Sequence, residues 1–114
     1  MARIAVTTQA VGRAGAATTY TGPNVDGDIV DIGRVALHVK NGSGSPITVT
    51  VQTPVQIEGL DLAELTVSVP AAGERFIGPL PASVFAQPVG NANAGKALVD
   101  YSAVTSVTRA VISL

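Results

Sequence analysis

Residues 34–53 read RVALHVKNGSGSPITVTVQT, and the alternation within this stretch decides the fold class. Val35, Leu37 and Val39 alternate with Arg34, His38 and Lys40, and Ile47, Val49 and Val51 alternate with Thr48, Thr50 and Gln52. Successive side chains of a strand point to opposite faces, so each run collects apolar side chains on one face and polar ones on the other. Between the runs, Asn41-Gly42-Ser43-Gly44-Ser45-Pro46 joins residues that accept positive φ to a proline that cannot continue a central ladder. The stretch therefore predicts a half-buried antiparallel hairpin.

The same period of two recurs on the C-terminal side. Leu65, Val67 and Val69 alternate with Thr66 and Ser68, and Arg75–Pro79 reads as a further short strand. The segments KALVDY (96–101) and SVTRAVISL (106–114) form the expected last pair, with Ala110, Ile112 and Leu114 inward and Arg109 and Ser113 outward. Leu60–Glu64 reads as a connector or one helical turn, Leu80–Phe85 as a crossing loop, and Gln87–Gly95 as a turn-rich excursion. Short strands at roughly 8–12-residue spacing, punctuated by Gly and Pro and with no helical period, predict an all-β protein, an antiparallel β-sandwich or barrel-like domain.

The N-terminal side is less regular. Residues 1–8, MARIAVTT, have the pattern of a short strand, but from Gln9 to Asp31 neither period is sustained. A non-periodic segment of that length is unusual inside a small domain. It reads either as an extended arm that gains order by pairing with a neighbour, or as a loop with an irregular strand around Ala17–Tyr20. The chain thus divides into an N-terminal arm, irregular or extended, over 1–31 and a β-sandwich domain over 32–114.

Composition excludes several classes of function. The 114 residues contain no cysteine, so no disulfide framework and no thiolate zinc site can form. Net charge is −1 and only 4% of residues are aromatic, which removes the basic footprint and stacking side chains that nucleic-acid binding needs. No apolar run has the length of a membrane span, and the N-terminus lacks a signal-peptide pattern. Charged residues make up 13% of the chain, against about 25% in ordinary soluble domains. So little charge points to a surface partly covered by copies of the chain or by a partner, with a Thr/Ser-rich surface as the other explanation.

The residues that carry chemistry are few. His38 is the single histidine, so no His-based acid–base pair or two-His metal site can be built, and it is placed on the outer face of its strand. No nucleophile is nominated near it, and no catalytic residue is assigned. The segment NVDGDIVD (24–31) sets Asp26 and Asp28 two residues apart, as at the start of a calcium loop. It lacks that motif's glycine after the third ligand and its bidentate Glu at the twelfth position. It reads as a solvated turn whose Asp and Asn side chains serve their own backbone. Glu58, Asp61 and Glu64 are too scattered for a glycosidase pair. Gly12, Gly15 and Gly22 do not have P-loop spacing. Tyr20, Phe76, Phe85 and Tyr101 read as core or interface residues. No metal or cofactor is expected.

Three segments together resemble a known group. LHVKNGSGSPITVTVQTP, LTVSVPAAGERFIGPLP and ALVDYSAVTSVTRAVISL are similar to small virion proteins of tailed bacteriophages that infect actinobacteria, over roughly residues 34–114. That resemblance implies a capsid decoration, or cement, protein: a non-enzymatic β-rich module made in the host cytoplasm that binds the major capsid protein on the outer surface of the head. It also implies self-association, with a trimer favoured. A head–tail connector, a tail-tube subunit and a carbohydrate-binding β-sandwich remain as alternatives. The polar face bearing Arg34, His38 and Lys40 is then a candidate contact surface.

Overall fold

The computed structural model describes residues 3–54, 56–61, 63–88, 90 and 92–113, apart from the side chains of Ile57 and Asp61. In chain order its elements are β1 (Ile4–Ala5), β2 (Thr8–Ala10), β3 (Asp28–Val30), β4 (Val35–Asn41), β5 (Ile47–Val51), β6 (Gln56–Ile57) and β7 (Leu60–Asp61). There follow β8 (Leu65–Val69), β9 (Glu74–Ile77), the single-turn α1 (Ala82–Phe85), β10 (Ala97–Tyr101) and β11 (Val107–Ser113). Two sheets pack face to face. The first has the order β1-β3-β10-β5-β8, the second β2-β11-β4-β9, and β6 and β7 form a separate small ribbon. The all-β sandwich expected from the alternation is the observed architecture. Its sheets are mixed rather than purely antiparallel, because β1 joins β3 and β2 joins β11 in parallel.

The two runs that predicted the fold are both strands, but they do not pair with each other. β4 lies between β11 and β9 in the second sheet, whereas β5 lies between β10 and β8 in the first. A hairpin would set both valine rows side by side on one sheet. Sending the strands to opposite sheets makes the rows face each other across the core and buries both. Alternation is identical in the two arrangements. Asn41 holds the crossing. Its side-chain amide is buried and donates to the Ser45 carbonyl at 2.8 Å and towards the Val69 and Pro70 carbonyls at 3.3 Å. Its side-chain oxygen accepts from the Ser43 amide at 3.0 Å and the Ser43 hydroxyl at 2.6 Å. The expected last pair divides in the same way, with β10 in the first sheet and β11 in the second.

The inner faces meet in a core of small branched side chains. Val49, Val51 and Val99 of the first sheet and Leu37, Val39 and Val111 of the second are fully buried. Phe85 of α1 packs into the same cluster, so the segment expected as a crossing loop forms one helical turn that closes the core. Each fully buried Val or Leu contributes about 1.5–3 kcal/mol relative to exposure. The core is therefore extensive although, among the described residues, Phe85 is the one buried Phe or Tyr in it.

The N-terminal stretch is built into the sandwich. β1 and β2 occupy edges of opposite sheets, and β3 lies between β1 and β10. Val6 packs against the core, and its amide donates to the Ile29 carbonyl at 2.9 Å. The division into an arm over 1–31 and a domain over 32–114 is thus not reflected in the described residues. The strand pattern read over 1–8 holds β1 and the first residue of β2, whereas the three-residue β3 carries too little periodicity to be read from sequence. Gly27 marks how tightly this segment is seated. Its φ is +100°, and a Cβ there would stand 2.8 Å from the Val99 carbonyl oxygen and overlap the Arg3 guanidinium.

Candidate functional site

Two constellations of polar side chains arise from this topology, one inside the sandwich and one on the outer face of the second sheet. The internal one begins with Asp28, whose side chain is 0% exposed. Arg109 of β11 reaches it from the facing sheet, donating through Nε to Oδ2 at 2.6 Å and through Nη2 to Oδ1 at 3.2 Å. The Tyr101 hydroxyl donates to Oδ2 at 2.8 Å, and the Asn24 amide approaches Oδ1 at 3.3 Å. Arg109 also donates to the Thr21 hydroxyl, while its backbone pairs with that of Thr21 at 2.8 Å and 3.2 Å.

Arg109 was expected outside. It is inside because β11 is registered with Val107, Arg109 and Val111 on the core side and Ala110 and Ile112 outward, opposite His38 and Ala36. The strand carries apolar residues at both parities; burying Val107 and Val111 brings Arg109 inward with them, where the distant carboxylate of Asp28 receives it. The inward placement expected for Leu114 lies outside the described residues. Burial pushes the Tyr101 hydroxyl well above its ordinary range, and the neighbouring Asp28 carboxylate adds to the effect. Burial opposes the charge on Arg109, but the Asp28 carboxylate more than compensates and raises its pKa. An enclosed carboxylate with both oxygens engaged fastens two sheets together.

The carboxylates of 24–31 do not converge on a common point. Asp28 turns into the core, while Asp31 bonds Lys96 and the Thr8 hydroxyl at the rim. These partners hold the Asp31 carboxyl below the usual carboxylate range. The Asp26 amide faces the Asn24 side-chain oxygen at 3.3 Å, as a local turn requires. Glu58 and Glu64 are exposed in connecting segments, and the Asp61 side chain is outside the described residues. Among the described residues, no group of three or more His, Asp or Glu side chains is placed to hold a metal ion.

The outer face of the second sheet is different in character. His38, expected to be solvated there, is 4% exposed because aromatic rings cover it. Phe76 of β9, directly across from His38, stacks on the imidazole with centroids 3.8 Å apart and planes 11° from parallel. Tyr20 meets the ring edge-on at 5.3 Å, and its hydroxyl lies 2.6 Å from Nδ1. Lys40 sets its ammonium 4.0 Å from the centre of the Tyr20 ring. Glu74 Oε1 is 3.4 Å from Nε2, without hydrogen-bond geometry. The four aromatics are therefore not all core residues. Phe85 is core and Tyr101 lines it, but Tyr20 and Phe76 share one outer face, and Phe76 is 63% exposed. The spacing of 56 residues between them hid this, and no sequence periodicity could have revealed it.

Beside Phe76 the face opens into an apolar groove of about 490 Å³, lined by Arg34, Ala36, Phe76, Gly78, Pro79 and Ile112. Gly78 lets the wall close, since a Cβ there would stand 2.5 Å from the Val35 carbonyl oxygen. The Gly78–Pro79 peptide is cis. A second cleft, of about 460 Å³, separates β1 from the chain at Thr19–Thr21. It is spanned by Gln9, which bonds both the amide and the carbonyl of Thr19 at 2.9 and 2.8 Å. An exposed aromatic beside an apolar groove with Arg34 in its lining is the kind of surface at which proteins dock.

Comparison with protein-family models, with curated proteins and with solved structures finds no match to this chain.

Proposed function

We propose that this chain is a virion structural protein, a capsid decoration or cement protein that binds the outside of a phage head shell and stabilises it. The reading is non-enzymatic, places the protein on the capsid surface, and makes the major capsid protein its partner, with self-association among copies on the shell. One observation carries it. The segment ERFIGP, on which the resemblance to phage virion proteins partly rests, supplies Phe76, Gly78 and Pro79 to the exposed groove. The residues that look familiar are thus also part of an apolar accessible groove. Apolar and aromatic side chains, depleted of charge, are what a lasting protein interface needs at its centre. A rigid sandwich with an enclosed ion pair supplies a scaffold on which such a patch keeps its shape.

Co-sedimentation with purified empty heads tests the reading. The wild-type chain is expected to pellet with the shells, and Phe76→Ser to lose at least about tenfold in affinity, as for a central aromatic anchor. Because Phe76 is exposed, the variant should remain folded by circular dichroism. Wild-type protein that ignores shells but is retained on immobilised glycans would overturn the proposal in favour of a carbohydrate-binding module.

A further inference from the structure

The four sheet edges of the sandwich are not equally protected. β1 has two residues and β2 three, too short to template another strand. β9 carries Glu74 and Arg75 and runs into Pro79. Short length, charge and proline are the devices by which proteins blunt their edges. β8 has none of them within its length. It is five residues, Leu65-Thr66-Val67-Ser68-Val69, all uncharged and strictly alternating, with Glu64 and Pro70 just outside it; β5 is its one strand partner, and at its end the Val69 carbonyl also takes the Asn41 side-chain amide at 3.3 Å. Leu65 and Val67 are only partly covered although they face the core side.

We infer that β8 is a self-pairing edge: two copies of the chain associate through antiparallel β8 strands about a two-fold axis at Val67, extending the first sheet across both molecules. The sequence is complementary to itself in that register. Val67 meets Val67 of the second copy, Leu65 meets Val69, and Thr66 meets Ser68, so apolar side chains meet on the core side and hydroxyls meet on the outer side. Glu64 falls opposite Pro70, and no like charges are brought together. The outer hydroxyl row continues that already formed within the sheet, where Thr48 stands opposite Ser68 and Thr50 opposite Thr66. Main-chain hydrogen bonds supply the affinity and the alternating faces set the register. A two-fold contact of this kind is isologous and closed. It stands in place of the three-fold association that the resemblance implies, and it is independent of the capsid-docking face.

Charge placement at two exposed positions tests both contact and register. Sedimentation equilibrium of the wild type should give a reversible dimer. Thr66→Lys with Ser68→Lys sets lysine opposite lysine twice, and should weaken the dimer roughly tenfold or more. Thr66→Lys with Ser68→Glu sets lysine opposite glutamate in the same register, and should restore it. Concentration-dependent slowing of amide exchange across 65–69 is the matching local signal. A wild type that stays monomeric or forms trimers, or a dimer unaffected by the double lysine, overturns the pairing. Failure of the lysine–glutamate variant to restore the dimer, with its fold intact by circular dichroism, overturns the register about Val67.

Discussion

Arg109→Met removes the cation from the interior while keeping an unbranched side chain of similar reach. Asp28 then keeps the Tyr101 hydroxyl and the Asn24 amide but loses both guanidinium bonds, at 2.6 and 3.2 Å, in a position with no solvent access. Removing one partner of a buried pair costs about 3–5 kcal/mol, chiefly because the other charge is stranded. Domains of this size are stable by about 5–15 kcal/mol, so the variant should lose a large share of its margin. Backbone pairing between Thr21 and Arg109 does not depend on the side chain, so the strand order should persist. Urea unfolding followed by far-ultraviolet circular dichroism measures the loss. Asp28→Asn alone should also be costly, since it strands the guanidinium. The double variant Asp28→Asn with Arg109→Met leaves no net charge in the core and should lose clearly less than the sum of the singles. A loss below about 1 kcal/mol for Arg109→Met, or strict additivity in the double variant, would refute the argument that this pair fastens the sheets.

Asn41→Ala should cost about 1–3 kcal/mol, because it removes the buried amide that reaches the Ser45, Val69 and Pro70 carbonyls and takes the acceptor from the Ser43 amide at the crossing between sheets; the shift in thermal midpoint reads it. Gly27→Ala should cost more than about 1 kcal/mol in the same assay, since the residue has φ +100° and its Cβ would press on the Val99 carbonyl. Asp31→Asn tests the rim contact with Lys96 and Thr8. The folded carboxyl titrates below its unfolded value of 3.8, so its contribution is present above that pH and is lost as pH falls through the lowered folded value. The pair is partly exposed, so the effect should be only about 0.2–1 kcal/mol. Wild type and variant should differ in urea midpoint at neutral pH and converge in strong acid. Equal midpoints at neutral pH would remove the contact from the list of stabilising ones.

Local chemistry in this chain was enough to determine the all-β class, the longer strands and the faces of β4 and β5. Val35, Leu37 and Val39, or Ile47, Val49 and Val51, alternate so regularly that only a half-buried strand satisfies them, and Asn41-Gly42 marks where the first run must turn. Pairing was beyond the reach of that pattern. A valine row is buried equally well beside another row on one sheet or opposite it on a second, and the choice fell to contacts between distant residues such as Asn41 with Val69 and Pro70. The same holds for parity in β11. Arg109 is a charged residue between Val107 and Val111 of the same parity, and its inward place is matched by Asp28, 81 positions earlier, which accepts its bonds. The candidate docking face follows this logic too. Phe76 and Tyr20 are isolated aromatics in sequence, and only the second sheet places them on either side of His38. Alternation is a property of neighbours along the chain and was legible from the residues alone. Partnership across the core depends on long-range closure, and only the tertiary structure decided it.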